Sequence, residues 1–165
     1  MPEVMRAATI CHLLIAALAS VFALPAVEEA LSAPNLAGTW IYDEAKTVIR
    51  GDAPAGFIAT QLAITQSPTE VTVASDTGGG RRIVTSVYKL DGSENVVPGP
   101  PNWVTKARAA WDNAKLVIRL KMVFPGPAGD IAIETQDAYS IADSVLTLER
   151  TQAGRTWKLL YNKSS

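Results

Sequence analysis

Past residue 36 the chain repeats one pattern. Short runs of Val, Ile, Thr, Trp and Tyr alternate apolar and polar side chains, and Gly, Pro, Asn or Asp break them at short intervals. A period of two belongs to a half-buried strand, whose successive side chains point to opposite faces. Leu116, Ile118, Leu120 and Met122 fall on one side of such a run and Arg119 and Lys121 on the other. Helical periodicity is absent throughout this region. The pattern predicts strands near 37–42, 60–66, 71–76, 82–90, 93–97, 103–111, 116–123, 130–141, 145–151 and 156–162. Sequential antiparallel strands in this number predict an all-β, up-and-down meander closed into a barrel of about 8–10 strands, because closure removes the exposed edges of a long open sheet. A two-sheet sandwich is the alternative.

The connections carry their own signals. Asp91-Gly92 is the dipeptide of a two-residue type I′ hairpin, and 112–115 and 142–144 are short polar turns. In a meander alternate connections share an end, which collects these with Ser67-Pro68-Thr69 at one end. The longer Gly/Pro connections 43–59, 77–80, 98–102 and 125–129 fall at the other. A tight base and a looped mouth make a cup. Pairing Trp111 with Leu116 sets Ala109 beside Ile118 and Ala107 beside Leu120, small against large, as a narrow barrel interior favours.

The N-terminus reads differently. Arg6 precedes an apolar run from Ala7 to Ala23, and small residues at Ala23 and Ala26 offer export-signal cleavage sites. Residues 1–26 are therefore expected to be a signal peptide, 27–36 a tether and 37–165 the folded domain. An uncleaved membrane anchor is the alternative, since the run approaches the about 20 residues that span a bilayer. Cleavage would leave a periplasmic or secreted protein with no stable membrane insertion. It would also remove Cys11 and His12, the only cysteine and histidine of the chain. Without them thiol and imidazole catalysis and nearly all zinc, copper and haem sites are excluded, so neither metal nor cofactor is expected. With 15 basic and 16 acidic residues, a net charge of −1, the chain has no electrostatic footprint for nucleic acid.

At Gly38-Thr39-Trp40 the chain resembles the Gly-x-Trp signature of lipocalins and related calycin barrels. More closely, 38–163 resembles a group of small exported bacterial lipocalin-like proteins of uncertain function. Those residues are Gly38-Thr39-Trp40 with Asp43 and Lys46, the run 109–118 around Trp111-Asp112-Asn113, and Leu146-Thr147-Leu148-Glu149-Arg150-Thr151. The resemblance implies a barrel that binds a small molecule, with Gly38 and Trp40 plugging its closed end, where Gly38 is expected to let the chain approach the closing strand near Tyr161. Three departures separate the chain from true lipocalins: no cysteine pair, no helix after the last strands, and ten strands where eight are expected. Lipocalins also stack a late Arg on the Trp of the first strand, whereas the expected register sets Arg150 beside Trp157.

The sharpest candidate chemistry is interior. If Ile141 opposes Leu146, then Tyr139 opposes Leu148 and Asp137 opposes Arg150, with Trp157 on the far side of Arg150. A guanidinium between a carboxylate and an indole can hold a polar or anionic ligand head, or can simply be a buried ion pair. Trp103, Thr105 and Met122 are expected to line the mouth. Thr77-Gly78-Gly79-Gly80-Arg81-Arg82 opens no helix and so lacks the context of a phosphate loop. No carboxylate pair at a defined separation and no spaced Ser-Lys motif marks a catalytic centre. The expected function is non-catalytic binding of a small, partly apolar molecule by Trp103, Thr105, Met122, Asp137, Arg150 and Trp157. The rival is a filled barrel that docks another envelope protein.

Overall fold

The computed structural model describes residues 33–47, 58–78, 80 and 82–164. The expected signal peptide, the tether up to residue 32, most of the 43–59 connection, and Gly79 and Arg81 lie outside them. Ten antiparallel strands build one sheet: β1 (Gly38–Tyr42), β2 (Gln61–Gln66), β3 (Glu70–Asp76), β4 (Ile83–Lys89), β5 (Asn95–Val97), β6 (Val104–Asp112), β7 (Lys115–Gly126), β8 (Gly129–Ala142), β9 (Val145–Gln152) and β10 (Arg155–Lys163). Their order is β4-β3-β2-β1-β10-β9-β8-β7-β6-β5, so the first and last strands pair and the sheet curls into a nearly closed barrel. The described residues contain no helix. Pairs of Trp111 with Leu116, Ala109 with Ile118 and Ala107 with Leu120 follow the expected register.

Closure is incomplete at one place. β4 and β5 are neighbours in sequence but stand at opposite ends of the sheet, and no ladder joins them. β4 lies against β5 and β6, and Asn95 Nδ2 donates to the Val87 carbonyl across the seam at 2.8 Å. Asp91-Gly92 therefore does not close a ladder-bonded hairpin, contrary to expectation. The Asp91 carboxylate accepts from the Ser93 amide at 2.8 Å, and the Gly92 amide donates to the Ala109 carbonyl on β6 at 3.1 Å. These bonds turn the chain along the seam instead of back onto β4.

The loop expected over 125–129 is also a correction. β7 and β8 run on through Pro125 and Gly126 to a two-residue turn at 127–128, pairing Pro125 with Asp130 and Gly126 with Gly129. A second tight turn, Ala153-Gly154, lies at the same end, with both residues at positive φ (49° and 74°). The mouth is therefore framed by long connections and tight hairpins together.

The core fills the opposite end. Leu36, Val71, Leu116, Leu146, Leu159 and Tyr161 are wholly buried, with Trp40, Leu62 and Ile118 at 1 % exposure. Leu36 was expected to end a tether, but it seals the base. Its amide donates to Gln66 Oε1 at 2.9 Å, its carbonyl accepts from Trp40 Nε1 at 2.9 Å, and Gln66 Nε2 donates to the Pro34 carbonyl at 3.1 Å. Gly38 sits at φ +143°, where a side chain would be strained, and a Cβ there would lie 2.9 Å from Lys163 Cε. The close approach is thus to Lys163, whose ammonium lies 5.6 Å from the Trp40 ring centroid, and not to Tyr161 as expected. Tyr161 instead pairs with Tyr42, rings edge-on at 5.7 Å.

Asp43 then clasps β1 to β10. Its amide donates to the Leu160 carbonyl at 2.8 Å, and its carboxylate accepts from Asn162 Nδ2 at 2.8 Å and pairs with Lys46 Nζ at 3.1 Å. Thr47 Oγ1 accepts from the Leu160 amide at 3.1 Å. This gives Asp43 and Lys46, which accompany the Gly-x-Trp signature, a structural role.

Two outcomes follow from the base and the clasp. Trp40→Ala removes a fully buried aromatic that also holds Leu36, and should lower stability by about 3–5 kcal/mol in urea unfolding. Hydrogen bonds from Asn162 and Lys46 hold the Asp43 carboxyl below its ordinary range. Its contribution is present above the unfolded value of about 3.9 and is lost as pH falls through the lower folded value. Asp43→Asn should flatten that acid limb of the urea midpoint against pH while leaving the neutral region nearly level.

Candidate functional site

Three neighbouring strands put one row of side chains across the barrel interior. β8 pairs with β9 through Ile141–Leu146, Tyr139–Leu148 and Asp137–Arg150, and β9 pairs with β10 through Arg150–Trp157. Because inward positions recur every second residue, Asp137, Arg150 and Trp157 share the inner face. Arg150 grips Asp137 with two parallel bonds, Nε to Oδ1 at 2.6 Å and Nη2 to Oδ2 at 2.5 Å. Such fork-to-fork geometry is the strongest form of the pair. Asp137 is 3 % exposed. Burial opposes the charge on Arg150, but the Asp137 carboxylate outweighs it through charge and hydrogen bonds, and the guanidinium remains a cation. The tyrosines around it stay neutral: burial raises the Tyr139 phenol well above its usual range, helped by the Asp137 charge, and burial likewise raises Tyr88 and Tyr161.

Above this row the barrel is hollow. A cavity of about 540 Å³ opens at the mouth, within the range of about 300–1,000 Å³ typical of small-molecule sites. Val97, Leu120 and Met122 supply apolar wall, Ser86, Tyr88, Thr105, Thr135 and Gln152 supply polar groups, and Arg150 closes the inner end. Pro98-Gly99-Pro100 and Arg82 form the rim. A smaller void of about 100 Å³, bordered by Ser75, Tyr139, Leu148 and Tyr161, reaches Arg150 from the other side. Two hydroxyls in these walls are buried with no hydrogen-bond partner, Thr105 Oγ1 and Tyr161 OH. Gln152 Nε2, by contrast, is occupied by Thr135 Oγ1 at 3.1 Å.

Of the residues named from sequence, Thr105, Met122 and Arg150 line the cavity, and Asp137 stands directly behind Arg150. Trp157 is buried at 3 % exposure in the core beside Arg150 and not on the cavity wall. Trp103 is not on the wall either. It stacks on Phe124, ring centroids 4.2 Å apart and planes within 14°, and so ties the 98–103 connection to the long β7–β8 hairpin. That partner is hidden if Pro125 is read as a loop residue, because Phe124 then loses its strand position. Sequence reasoning missed Ser86, Tyr88, Thr135 and Gln152. Thr135 and Gln152 were available from the same register, one inward step beyond Asp137 and Arg150. Ser86 and Tyr88 share the inner face of β4 with Val84, a face that the same alternation offers.

Among the described residues no three metal-ligating side chains converge. No protein-family model matches the chain. No curated protein matches it in sequence. Solved structures do resemble it. Secretory abundant heat soluble protein 4 from Ramazzottius varieornatus aligns over 78 % of this chain and 94 % of its own, with a TM-score of 0.58 and 16 % identity. A fatty acid transporter aligns over 79 % and 96 %, with a TM-score of 0.58 and 12 % identity. Apo lipid binding protein 8 of Caenorhabditis elegans aligns over 78 % and 94 %, with a TM-score of 0.58 and 9 % identity. Identities this low establish the fold, a lipocalin-like barrel, and leave chemistry to the residues.

A double-mutant cycle isolates the pair. Arg150→Gln alone strands a buried carboxylate and should destabilise the fold by about 3–5 kcal/mol in urea, while adding Asp137→Asn recovers much of that loss. Zero coupling would mean that the two groups do not meet.

Proposed function

We propose that this protein is an exported, non-catalytic carrier that reversibly takes up a small, partly apolar molecule in the mouth half of its barrel. The observation that carries the reading is the division of the interior. The base is packed around Trp40 and Leu36, while the mouth keeps an open cavity of about 540 Å³ with mixed apolar and polar walls. A barrel kept only for its outer surface has no use for such a space, since interiors otherwise pack to crystal-like density. The similar structures include a fatty acid transporter and a lipid binding protein, which agrees with this reading. Export rests on the apolar run behind Arg6 and the small residues at Ala23 and Ala26.

A surface role has one observation in its favour. Val96 is 70 % exposed, and Ile83 and Val104 are also exposed near the β4–β5 seam. These would suit an envelope partner but do not account for the cavity.

Native mass spectrometry of protein purified from its own cell envelope tests both parts. The expected result is a mature chain beginning at Leu24 or Val27 and carrying a retained small molecule. A chain that begins at Met1 contradicts cleavage. A chain that never carries a ligand, and that binds no neutral apolar dye, contradicts the carrier reading.

A further inference from the structure

The outer face of the barrel pairs its charges by sign, with one exception among the described residues. Across the ladders Glu70 stands opposite Lys89, Asp112 opposite Lys115, Glu134 opposite Lys121 and Glu149 opposite Lys158, each an attraction between neighbouring strands. Between β6 and β7 the rule breaks twice in succession. Lys106 stands opposite Lys121, and Arg108 opposite Arg119. These positions alternate with the buried Thr105, Ala107 and Ala109 on β6 and with buried Ile118 on β7, so the four cations share the outer face and form a square. Directly opposed like charges destabilise a sheet, and no packing demand calls for them on an exposed face.

The square borders a groove of about 410 Å³, with Glu94 on its β5 side and Glu134, Gln136 and Thr151 on its β8–β9 side. Glu94 takes Lys106 Nζ at 2.8 Å and lies 3.5 Å from Arg108 Nη2, while Glu134 stands 3.9 Å from Lys121 Nζ. Arg119 faces the neutral Gln136 and makes no ion pair or hydrogen bond among the described residues. Four cations against two carboxylates leave the groove at +2, on a chain whose net charge is −1. A phosphomonoester carries about −1.5 to −2 near pH 7 on three terminal oxygens, so it can take donors from both strands at once. A carboxylate, with two oxygens, is satisfied by a single guanidinium fork. The groove also extends beyond the cations, where the Gln136 amide, the Thr151 hydroxyl and the Glu134 carboxylate suit hydroxyl groups.

We propose that this groove is a second binding site, for the phosphomonoester group of a small hydroxylated molecule. Arg108 and Arg119 supply the planar forks, Lys106 and Lys121 act as point charges, and Gln136 and Thr151 meet the hydroxyls. A dianion held among the four cations turns two repulsions into shared attractions, which accounts for like charges standing opposite each other here. The site is independent of the carrier reading, since it lies on the outside of the strands whose inner face walls the mouth cavity.

The test uses the full mature chain at neutral pH and low salt, with glycerol 3-phosphate as the probe and inorganic phosphate, acetate and glycerol as comparisons, followed by backbone-amide NMR. Glycerol 3-phosphate should saturably shift the amides of 106–108 and 119–121 and leave those of Arg82 and Arg150, on the mouth cavity, in place. Inorganic phosphate should bind more weakly than the probe, acetate weaker by about tenfold or more, and glycerol not at all. Arg119→Gln should weaken the probe by about tenfold or more, the loss of a charge-assisted fork, while its urea midpoint stays level or rises because a like-charge pair is gone. No saturable shift, shifts spread over every exposed cation, or unchanged affinity in Arg119→Gln overturns the proposal. Acetate binding as tightly as the probe overturns its phosphate specificity, and inorganic phosphate doing so overturns the hydroxylated ligand. Capture of the protein by phosphatidylcholine vesicles containing phosphatidic acid, with no binding of the soluble probe, would place the phosphate on a lipid headgroup and overturn the small-molecule site.

Discussion

The bidentate bond between Arg150 and Asp137 divides this barrel. On one side of it lie Tyr139, Leu148, Leu159 and Tyr161, all buried and leading down to the Trp40–Leu36 base. On the other lie Thr105, Thr135 and Gln152 and open space. A pair of opposite charges taken out of water is seldom a net gain over apolar packing. Its retention therefore points to something the pair does beyond stabilising. In this structure it ends the apolar core at a fixed depth and gives the cavity a polar, electrically neutral floor.

The rest of the fold holds that row in place. Its register depends on uninterrupted β8–β9–β10 ladders, since a slip of one residue would turn both charges to solvent. Those ladders are anchored at β10, which the Asp43 clasp and the β1 pairing tie to the start of the chain. Gly38 allows Lys163 to lie over Trp40, and Leu36 closes the base beneath. The weak place is the β4–β5 seam, where one Asn95 side chain stands in for a ladder. Local opening costs least at the seam, where backbone hydrogen bonds are fewest.

Alternation alone made all ten strands readable, because each has one face against the core and one against water. The same rule made Asp137–Arg150 readable across a short turn, where register has little freedom. What failed was local in a different way. Asp91-Gly92 has hairpin chemistry, yet barrel curvature carries β5 onto β6, a long-range outcome that no dipeptide encodes. Pro125 and Gly126 look like loop residues, but at the exposed tip of a hairpin a strand can include Pro without burying an unmet group. Leu36 lies before the first strand and outside any period, so only the tertiary bond from Trp40 reveals it as core. Trp103 was expected to begin a strand whose inner face lines the mouth, but it precedes β6 and stacks on Phe124, just past the end of the strand expected over 116–123.

The central claim is that the mouth half of the barrel is a ligand site floored by an intact, neutral ion pair. A crystal structure of the protein purified from its native source tests it most directly. The account predicts continuous, non-solvent density running from the 98–100 rim toward the Arg150 floor, with Arg150 still gripping both oxygens of Asp137. A mouth collapsed and filled by its own side chains would contradict it. So would a carboxylate seated on Arg150 in place of Asp137.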